Sequence, residues 1–208
     1  MAKLLHIIAT PRGLESRTLK ISDIFIQEYK LKHPDCKVQC INIFEEKLPD
    51  LTVKRVTGKY ALLSGASLSG DLKESWEEII CVIEKFLSAD AYIISTPMWN
   101  FSIPYRLKHY IDIILQPNYL FKYTPQGPEG LVKNRKILIV TSRGGDYSTG
   151  DLVKFDFQQS YLRTVFGFAG ITDLTFINAE PMDAMGQEVR DKKIKEAQAN
   201  AKKIVDNF

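Results

Sequence analysis

The amino-acid sequence predicts an α/β protein with a five-stranded, doubly wound parallel sheet and helices on both faces. Short apolar runs alternate with longer segments whose apolar residues recur at helical spacing, a pattern typical of parallel strands joined by crossover helices. The strand order expected for such a sheet is 2-1-3-4-5, in which strands one, three and four are neighbours. A chain of 208 residues is long enough to bury one core, so we expect residues 1–208 to form a single domain.

Each element of this fold is indicated by its own pattern. The predicted strands are residues 4–10, 37–43, 91–96, 136–141 and 173–179. The first, third and fourth are nearly continuous apolar runs, as buried strands are, and the second alternates in part, as an edge strand does. The predicted helices are a segment that Ser16 or Thr18 caps and Pro34 ends, and residues 71–88, 105–115, 155–168 and 186–208.

Two segments do not follow the alternation of strands and helices. Residues 45–70 contain three glycines and a Leu-Pro-Asp sequence, so we expect a surface excursion with one short helix over residues 59–63. Residues 119–130 contain two prolines, two glycines and three aromatic residues, which predicts a shaped loop or a hairpin.

The composition restricts the partners and the compartment that we expect. Twenty-eight basic and 25 acidic residues give a net charge of +3 without a basic cluster, so nucleic acid is not an expected partner. The first apolar run is too short for a signal peptide or a membrane span. Three cysteines without a C-x-x-C pair indicate neither a disulfide framework nor a metal site. We therefore expect a cytoplasmic protein without a membrane or metal partner.

The loop after the first strand has the residues of a phosphate cradle. Thr10 ends the strand, a Pro-Arg-Gly break follows, and Ser16, Arg17 and Thr18 begin a helix. Backbone N–H groups and the helix dipole at such a position attract anions. The loop matches neither the P-loop nor the Gly-x-Gly-x-x-Gly pattern, so it indicates neither a nucleoside triphosphate nor a Rossmann dinucleotide. Ordinary helix capping uses the same residues, and that interpretation stays open.

The loop after the third strand combines apolar and amide side chains. It begins at Pro97, which removes a backbone donor, and continues through Met98, Trp99, Asn100 and Phe101. Such a loop suits a flat heteroaromatic ligand, whose ring faces contact the aromatics and whose edge bonds to the amide. The alternative is that these side chains only cover the core.

The loop after the fourth strand is Ser142-Arg143-Gly144-Gly145, and paired glycines allow a backbone to approach a ligand closely, although a tight turn also uses them. In the order 2-1-3-4-5 all three loops lie in one crevice. One loop can take a phosphate, one a ring face and one a ring edge. These are the requirements of FMN at a flavodoxin-type switch point.

The same residues resemble a known enzyme family. The Thr10-to-Thr18 segment, the Pro97-to-Phe101 loop, the aromatic segment 121–131 and the Ser142-to-Gly145 loop are together similar to the FMN-dependent NADH:quinone oxidoreductases known as azoreductases. The family often has Ser where this chain has Thr10, and Tyr where it has Trp99, and neither change removes the hydroxyl or the ring. Residues 45–70 have no confident match to the family.

The resemblance implies one non-covalent FMN per subunit. Thr10, Ser16, Arg17 and Thr18 are then expected at the phosphate and Pro97 to Phe101 at the ribityl chain and ring. The loop residues Ser142, Arg143, Gly144 and Gly145, followed by Tyr147, are expected at the pyrimidine edge. NADH or NADPH is the implied donor, and a quinone or azo compound the acceptor in a ping-pong reaction. The flavin carries the chemistry, so we expect no catalytic side chain.

The resemblance also implies a homodimer in which Tyr123 and Phe168 belong to the substrate pocket, with aromatics of one chain covering the flavin of the other. The alternative is that the aromatic segment closes the pocket of its own subunit. Two other functions use the same cradle: a flavodoxin-type electron carrier and a non-catalytic FMN-binding regulator. The net positive charge and the two extra segments favour a closed substrate pocket over the carrier.

Overall fold

A computed structural model describes residues 2–208. Five parallel strands form one sheet in the order β2-β1-β3-β6-β7, and a separate antiparallel hairpin pairs β4 with β5. Counted over the parallel strands alone, this order corresponds to the predicted 2-1-3-4-5. The strands are β1 Lys3–Ile8, β2 Lys37–Asn42, β3 Ala91–Pro97, β4 Phe121–Thr124, β5 Gly127–Gly130, β6 Lys136–Ser142 and β7 Asp173–Ala179.

Six α-helices accompany the sheet within residues 2–208. They are α1 Arg17–Lys32, α2 Val53–Leu63, α3 Gly70–Leu87, α4 Tyr105–Ile114, α5 Phe157–Ala169 and α6 Gly186–Ile204, with short 3-10 segments at Gly13–Glu15, Gly150–Phe155 and Val205–Asn207. None of these helices combines the length and the apolar character that crossing a bilayer requires.

Helices cover both faces of the sheet because successive strand residues point to opposite sides. In β3, Tyr92 and Ile94 pack in a core formed with α3, α4 and α5. Their neighbour Ile93 packs in a second core formed with α1 and α6. The continuous apolar runs of β1, β3 and β6 therefore reflect burial on both faces, as the sequence pattern predicts.

The largest difference from the predicted elements lies where a glycine is interpreted as a helix breaker, and the helix predicted over residues 155–168 begins two residues later, at Phe157. The helix predicted over residues 59–63 begins earlier, at Val53, where Thr52 caps it by accepting a hydrogen bond from the Arg55 N–H. Gly58 lies inside this helix against the indole of Trp76, where a Cβ atom would clash. This glycine therefore permits helix packing and does not end the helix. Residues 119–130 include the hairpin β4–β5, as one of the two alternatives expected.

His6 is a buried polar residue between the sheet and the α1 layer. Its Nε2 lies 2.8 Å from Ser95 Oγ on the neighbouring strand β3, and the side chain is almost inaccessible to solvent. Burial lowers the pKa of His6 from 6.5 to about 4, because the charged imidazolium is desolvated there. His6 is thus a core residue whose polar ring has a hydrogen-bond partner.

This pKa predicts an acid-sensitive stability. The unfolded chain binds a proton at His6 below about pH 6.5 and the folded chain only below about pH 4, so stability present above pH 6.5 is lost as the pH falls between these values. We expect a loss of about 3 kcal/mol in the free energy of unfolding, measured by urea titration. In His6→Gln the free energy of unfolding should depend less on pH over this range, while the exposed control His33→Gln should show the same pH dependence as wild type. Identical slopes for wild type and His6→Gln would contradict the assignment.

Candidate functional site

Three loops at the carboxyl edge of the sheet line one cleft of about 220 Å³. They follow β1, β3 and β6, which are neighbours in the sheet. The predicted site residues that line it are Thr10, Ser16, Arg17, Pro97, Met98, Trp99, Ser142 and Gly144. The convergence expected from the strand order is therefore present in the structure.

One end of the cleft is the start of α1. Ser16 caps the helix by accepting a hydrogen bond from the Leu19 N–H at 3.3 Å, and its Oγ lies 2.9 Å from Thr18 Oγ1. Both side chains are buried. The first N–H groups of a helix have no partner within it, so those of Arg17 and Thr18 are left for an external acceptor. Ser16 caps the helix, as ordinary capping requires, and the same geometry suits an anion.

An aspartate that the sequence did not single out lies at this end. Asp183 follows β7 and accepts two hydrogen bonds from the Arg17 guanidinium, at 2.7 and 3.0 Å. Arg190 Nη2 lies 3.5 Å from the same carboxylate, and the Arg12 charge also acts on it. These contacts, above all the bonds from Arg17, hold the pKa of Asp183 below its ordinary value. The end of the cleft is therefore cationic apart from one carboxylate.

The β3 loop turns tightly at the mouth of the cleft. Trp99 and Ser102 exchange backbone hydrogen bonds of 2.9 Å in both directions, and the two residues between them have positive φ, 47° for Asn100 and 69° for Phe101. This matches a type I′ turn, which favours Asn followed by Gly. A phenylalanine at the second position is strained by about 1–2 kcal/mol. Such strain is often found at functional sites.

The turn presents aromatic side chains to solvent. Trp99 and Phe101 are 36% and 45% exposed. The Phe101 ring contacts Phe155 at a centroid distance of 5.6 Å and lies 6.4 Å from Tyr147. Trp99 also borders a larger neighbouring cavity of about 450 Å³, which Asn100, Tyr105 and Tyr161 help to line. The two cavities together give an anion-binding end and an adjoining apolar space.

The β6 loop contributes backbone and small side chains to the cleft. A Cβ atom added to Gly144 would lie 3.4 Å from Asp183 Oδ2, and one added to Gly145 would lie 3.3 Å from Leu152. The Gly144 carbonyl accepts hydrogen bonds from the N–H groups of Asp183 and Ala184 at 3.0 and 3.1 Å. The glycines therefore bring the chain after β7 against the cleft.

The side chain of Arg143 does not line the cleft with its neighbours. It is 1% exposed and its guanidinium donates to Asp156 at 2.8 Å and to Gln158 at 3.3 Å. Tyr147 is half-buried beside Phe101, and its N–H donates to Glu180 at 2.9 Å. The sequence placed Arg143 in the right loop, but the direction of its side chain depends on acids from two other segments.

Tyr123 and Phe168 are not among the residues that line either cavity. Tyr123 is exposed on the hairpin, and Phe168 packs against Phe121 at a centroid distance of 4.7 Å. Within one chain these two aromatics therefore form a separate apolar surface around β4. The two cavities described above therefore do not give Tyr123 and Phe168 a place in a substrate pocket.

The arrangement is suited to binding an anionic aromatic ligand. Within residues 2–208 no group of three or more His, Cys, Asp or Glu side chains is placed to hold a metal ion. Helix N–H groups, hydroxyls and guanidinium groups meet at one end, and aromatic faces and glycine backbone meet at the other. This division matches a ligand with a phosphate at one end and a ring at the other.

Comparison with known proteins gives a consistent set of relatives. A family model described as Flavodoxin-like fold matches residues 2–205. The FMN-dependent NADH:quinone oxidoreductase of Nitratidesulfovibrio vulgaris strain Hildenborough is 38% identical over 209 residues, covering 100% of both chains. A second protein of that name, from Clostridium acetobutylicum, is 39% identical and covers 91% of both chains.

Solved structures agree with this. The azoreductase of Bacillus anthracis strain Sterne has a TM-score of 0.90 and 28% identity, with 100% of both chains covered. An FMN-dependent NADH-azoreductase of Bacillus anthracis strain Ames Ancestor, solved in complex with FMN, has a TM-score of 0.85 at 28% identity, with 99% of this chain and 100% of that chain covered.

The strained turn gives a prediction that is independent of any ligand. Phe101→Gly and Phe101→Ala remove the same ring, but only alanine keeps a Cβ atom at φ 69°. We expect the glycine variant to have the higher free energy of unfolding by about 1 kcal/mol, measured in urea. At Phe155, which is outside the positive-φ residues, glycine should be the less stable substitution. Equal stabilities of the two Phe101 variants would refute the strain.

Proposed function

The chain belongs to the flavodoxin-like fold family and, within it, to the FMN-dependent NADH:quinone oxidoreductases, and we propose that its cleft binds FMN for a reaction of this kind. The proposed reaction moves two electrons from NAD(P)H to a quinone or an aromatic azo compound. The observation that carries the proposal is the cleft itself, in which an anion-binding helix start and an aromatic turn are brought together by three neighbouring strands.

The phosphate of FMN fits the start of α1. It would take the free N–H groups of Arg17 and Thr18 and the buried hydroxyls of Thr10, Ser16 and Thr18. Charge-assisted hydrogen bonds at such a position are stronger than neutral ones. Arg17, which now bonds to Asp183, supplies a cation beside the same end. The residues present therefore match the charge and the hydrogen-bonding needs of a phosphate group.

The ring system fits the other end of the cleft. Met98, Trp99, Asn100 and Phe101 would face the ribityl chain and the ring, and the backbone of Ser142, Gly144 and Gly145 would face the pyrimidine edge. Glycine leaves that backbone accessible. Arg143 is part of the same loop, and its contribution there is through its backbone, since its guanidinium is bonded to Asp156 and Gln158.

When bound, FMN supplies the two-electron redox chemistry, and the chain supplies binding, orientation and exclusion of water. The aromatic side chains of Trp99 and Phe101 reduce the access of water to the ring. Backbone N–H groups of the β6 loop offer fixed dipoles at its edge. No side chain of the cleft is assigned a proton transfer in this proposal.

We propose a ping-pong order, in which the two substrates use the same space beside the ring site. The apolar space beside Trp99, Asn100 and Tyr105 is the open side, so nicotinamide and acceptor would occupy it in turn. Dihydronicotinamide, quinones and aromatic azo compounds all present flat, conjugated groups, which the exposed aromatic side chains suit. Reduction of an azo bond to two amines needs four electrons, and therefore two such cycles.

We infer a homodimer that completes this space. Trp99, Phe101, Tyr105, Tyr123, Phe155 and Phe157 are exposed aromatic residues. A soluble monomer seldom leaves so many large apolar side chains uncovered, and such patches usually mark contacts. In a twofold dimer, Tyr123 and Phe168 of one subunit would cover the ring site of its partner. This would give the two aromatics the pocket role that the isolated chain does not give them.

The function is tested by turnover and by cofactor selectivity in one set of measurements. Purified protein with FMN should oxidise NADH with benzoquinone without a partner reductase, and varied substrate concentrations should give parallel double-reciprocal lines. Ser16→Ala with Thr18→Ala should raise the Kd for FMN by at least about tenfold and leave that for riboflavin nearly unchanged, because only FMN has the phosphate.

The control is Ser88→Ala, at the end of α3 and away from the cleft. It should change the affinity for neither FMN nor riboflavin. Turnover that requires an external reductase would favour an electron carrier instead. Flavin binding without any NADH oxidation would favour a regulator. Equal losses for FMN and riboflavin would reject the phosphate assignment.

The dimer is tested with mixed subunits. Sedimentation of the FMN-loaded protein should give twice the chain mass. Gly144→Val should prevent flavin binding in its own chain, and Tyr123→Ala should remove the aromatic that covers the ring site of the partner, so each homodimer should be inactive. A mixed dimer of the two variants should have about half of the wild-type activity, because both substitutions affect the same site and leave the other site intact. A fully active monomer, or mixed dimers without activity, would contradict a shared site.

A further inference from the structure

We propose that Arg143 is a positioning residue. Through Gln158 and Glu180 it connects the two ring-side loops of the cleft, which are the loops after β3 and β6, from the buried side of these loops. This inference rests on the proposed function, because it assigns these loops to the flavin ring. The guanidinium touches neither cavity, and it acts through other side chains.

Arg143 is held on three sides. Its Nη1 lies 2.8 Å from Asp156 Oδ2 and 3.6 Å from Glu180 Oε2, and its Nε donates to Gln158 Oε1 at 3.3 Å. Arg143, Gln158 and Glu180 are all buried. Asp156 also caps α5 by accepting from the Gln159 N–H at 2.9 Å. The guanidinium is therefore fixed to the start of α5 and to the end of β7.

Gln158 and Glu180, which contact Arg143, each form a second hydrogen bond to a loop of the cleft. Gln158 Nε2 donates to the carbonyl oxygen of Pro97 at 2.9 Å, at the point where β3 passes into the aromatic turn. Glu180 Oε2 accepts the N–H of Tyr147 at 2.9 Å, in the β6 loop. Arg143 itself begins that loop. One buried cation thus connects the backbone on both ring-side walls.

The start of α5 also bonds to the turn directly, since the Phe157 N–H donates to the Phe101 carbonyl at 3.1 Å. The side chains of the phosphate end form bonds of their own: Ser16 and Thr18 bond to each other and within α1. Asp183, which holds Arg17, reaches the β6 loop through its backbone N–H at the Gly144 carbonyl and not through Gln158 or Glu180. The network therefore divides the cleft into a ring-side half that depends on Arg143 and a phosphate half that does not.

Stability alone is a weak reason to bury this arginine. Replacing a buried ion pair by apolar side chains is often neutral for stability, and within residues 2–208 the second terminal nitrogen, Nη2, has no hydrogen-bond partner. A buried donor without a partner is unfavourable. The arrangement is better explained by the fixed, planar set of donors that only arginine offers, which can reach Asp156 and Gln158 at the same time.

The test uses variants that separate the two connections. Gln158→Leu removes both the donor to Pro97 and the acceptor for Arg143. Gln158→Glu keeps an acceptor for Arg143 but cannot donate to the Pro97 carbonyl. Arg143→Lys keeps the charge near Asp156 but loses the Nε bond. Gln116→Leu, which removes another buried glutamine that bonds to the Asp112 carbonyl, is the matched control.

Affinities are measured for lumiflavin, riboflavin and FMN by flavin fluorescence, with Tm recorded for each variant. We expect Gln158→Leu and Gln158→Glu to raise all three Kd values by the same factor, about tenfold, because the loss lies at the ring that the three ligands share. Arg143→Lys should do the same to a smaller extent. Gln116→Leu should leave all three Kd values unchanged even if its Tm falls.

Amide hydrogen exchange of the flavin-free protein gives an independent readout. In Gln158→Leu, exchange should quicken at Met98, whose N–H bonds to the Ser142 carbonyl, while Leu19 and Lys20 at the phosphate end stay as in wild type. Unchanged Kd values and exchange in the Gln158 variants, with wild type binding flavin, would overturn the inference alone. A wild-type protein that binds no flavin would overturn the proposed function and the ring-side role with it.

Discussion

Strand β3 is hydrogen-bonded along both edges, and the different lengths of its two ladders create the cleft. Its pairing with β1 ends at Ser95, opposite Ile8, whereas its pairing with β6 continues to Pro97, opposite Ser142. The Met98 N–H extends the second ladder by bonding to the Ser142 carbonyl at 2.9 Å. The Ala9 N–H still bonds to the Ser95 carbonyl at 2.8 Å, but after Ala9 the chain separates from β3 while β3 and β6 remain joined. The gap between the loop after β1 and strand β3 is the space that the start of α1 and the aromatic turn enclose.

Most of the fold could be predicted because its central strands, β1, β3 and β6, are buried on both faces. Their apolar runs are then nearly continuous, and the boundaries of all five parallel strands agree with the structure within one or two residues, with Asp173–Ala179 reproduced without change. The helix α2 was less predictable. Its glycine at position 58 looks like a breaker in the sequence, but it is required by the indole of Trp76, which lies in another helix. Local patterns do not contain such a contact.

The candidate site divides in the same way. Ser16 and Thr18 could be identified because helix capping and anion binding both depend on residues adjacent in sequence. Asp183 could not, since it is 166 positions from Arg17 and no pattern links the two. The direction of the Arg143 side chain also depends on distant residues, Asp156 and Glu180. Sequence reasoning thus found the residues that a loop presents by its own conformation and missed those that another segment orients.

The two arginines that follow β1 and β6 illustrate why this distinction matters for function. Arg17 is partly exposed, and its carboxylate partner Asp183 is more exposed still, at 18% and 57% of their side chains. An ion pair in that position is weak and can exchange one anion for another at little cost. Arg143 is fully buried, and its acids Asp156 and Glu180 keep only 15% and 7% of their side chains exposed, so water screens these ion pairs much less than it screens the pair of Arg17. The first arginine is therefore suited to meeting a ligand, and the second to keeping the walls of the cleft in place while the ligand changes.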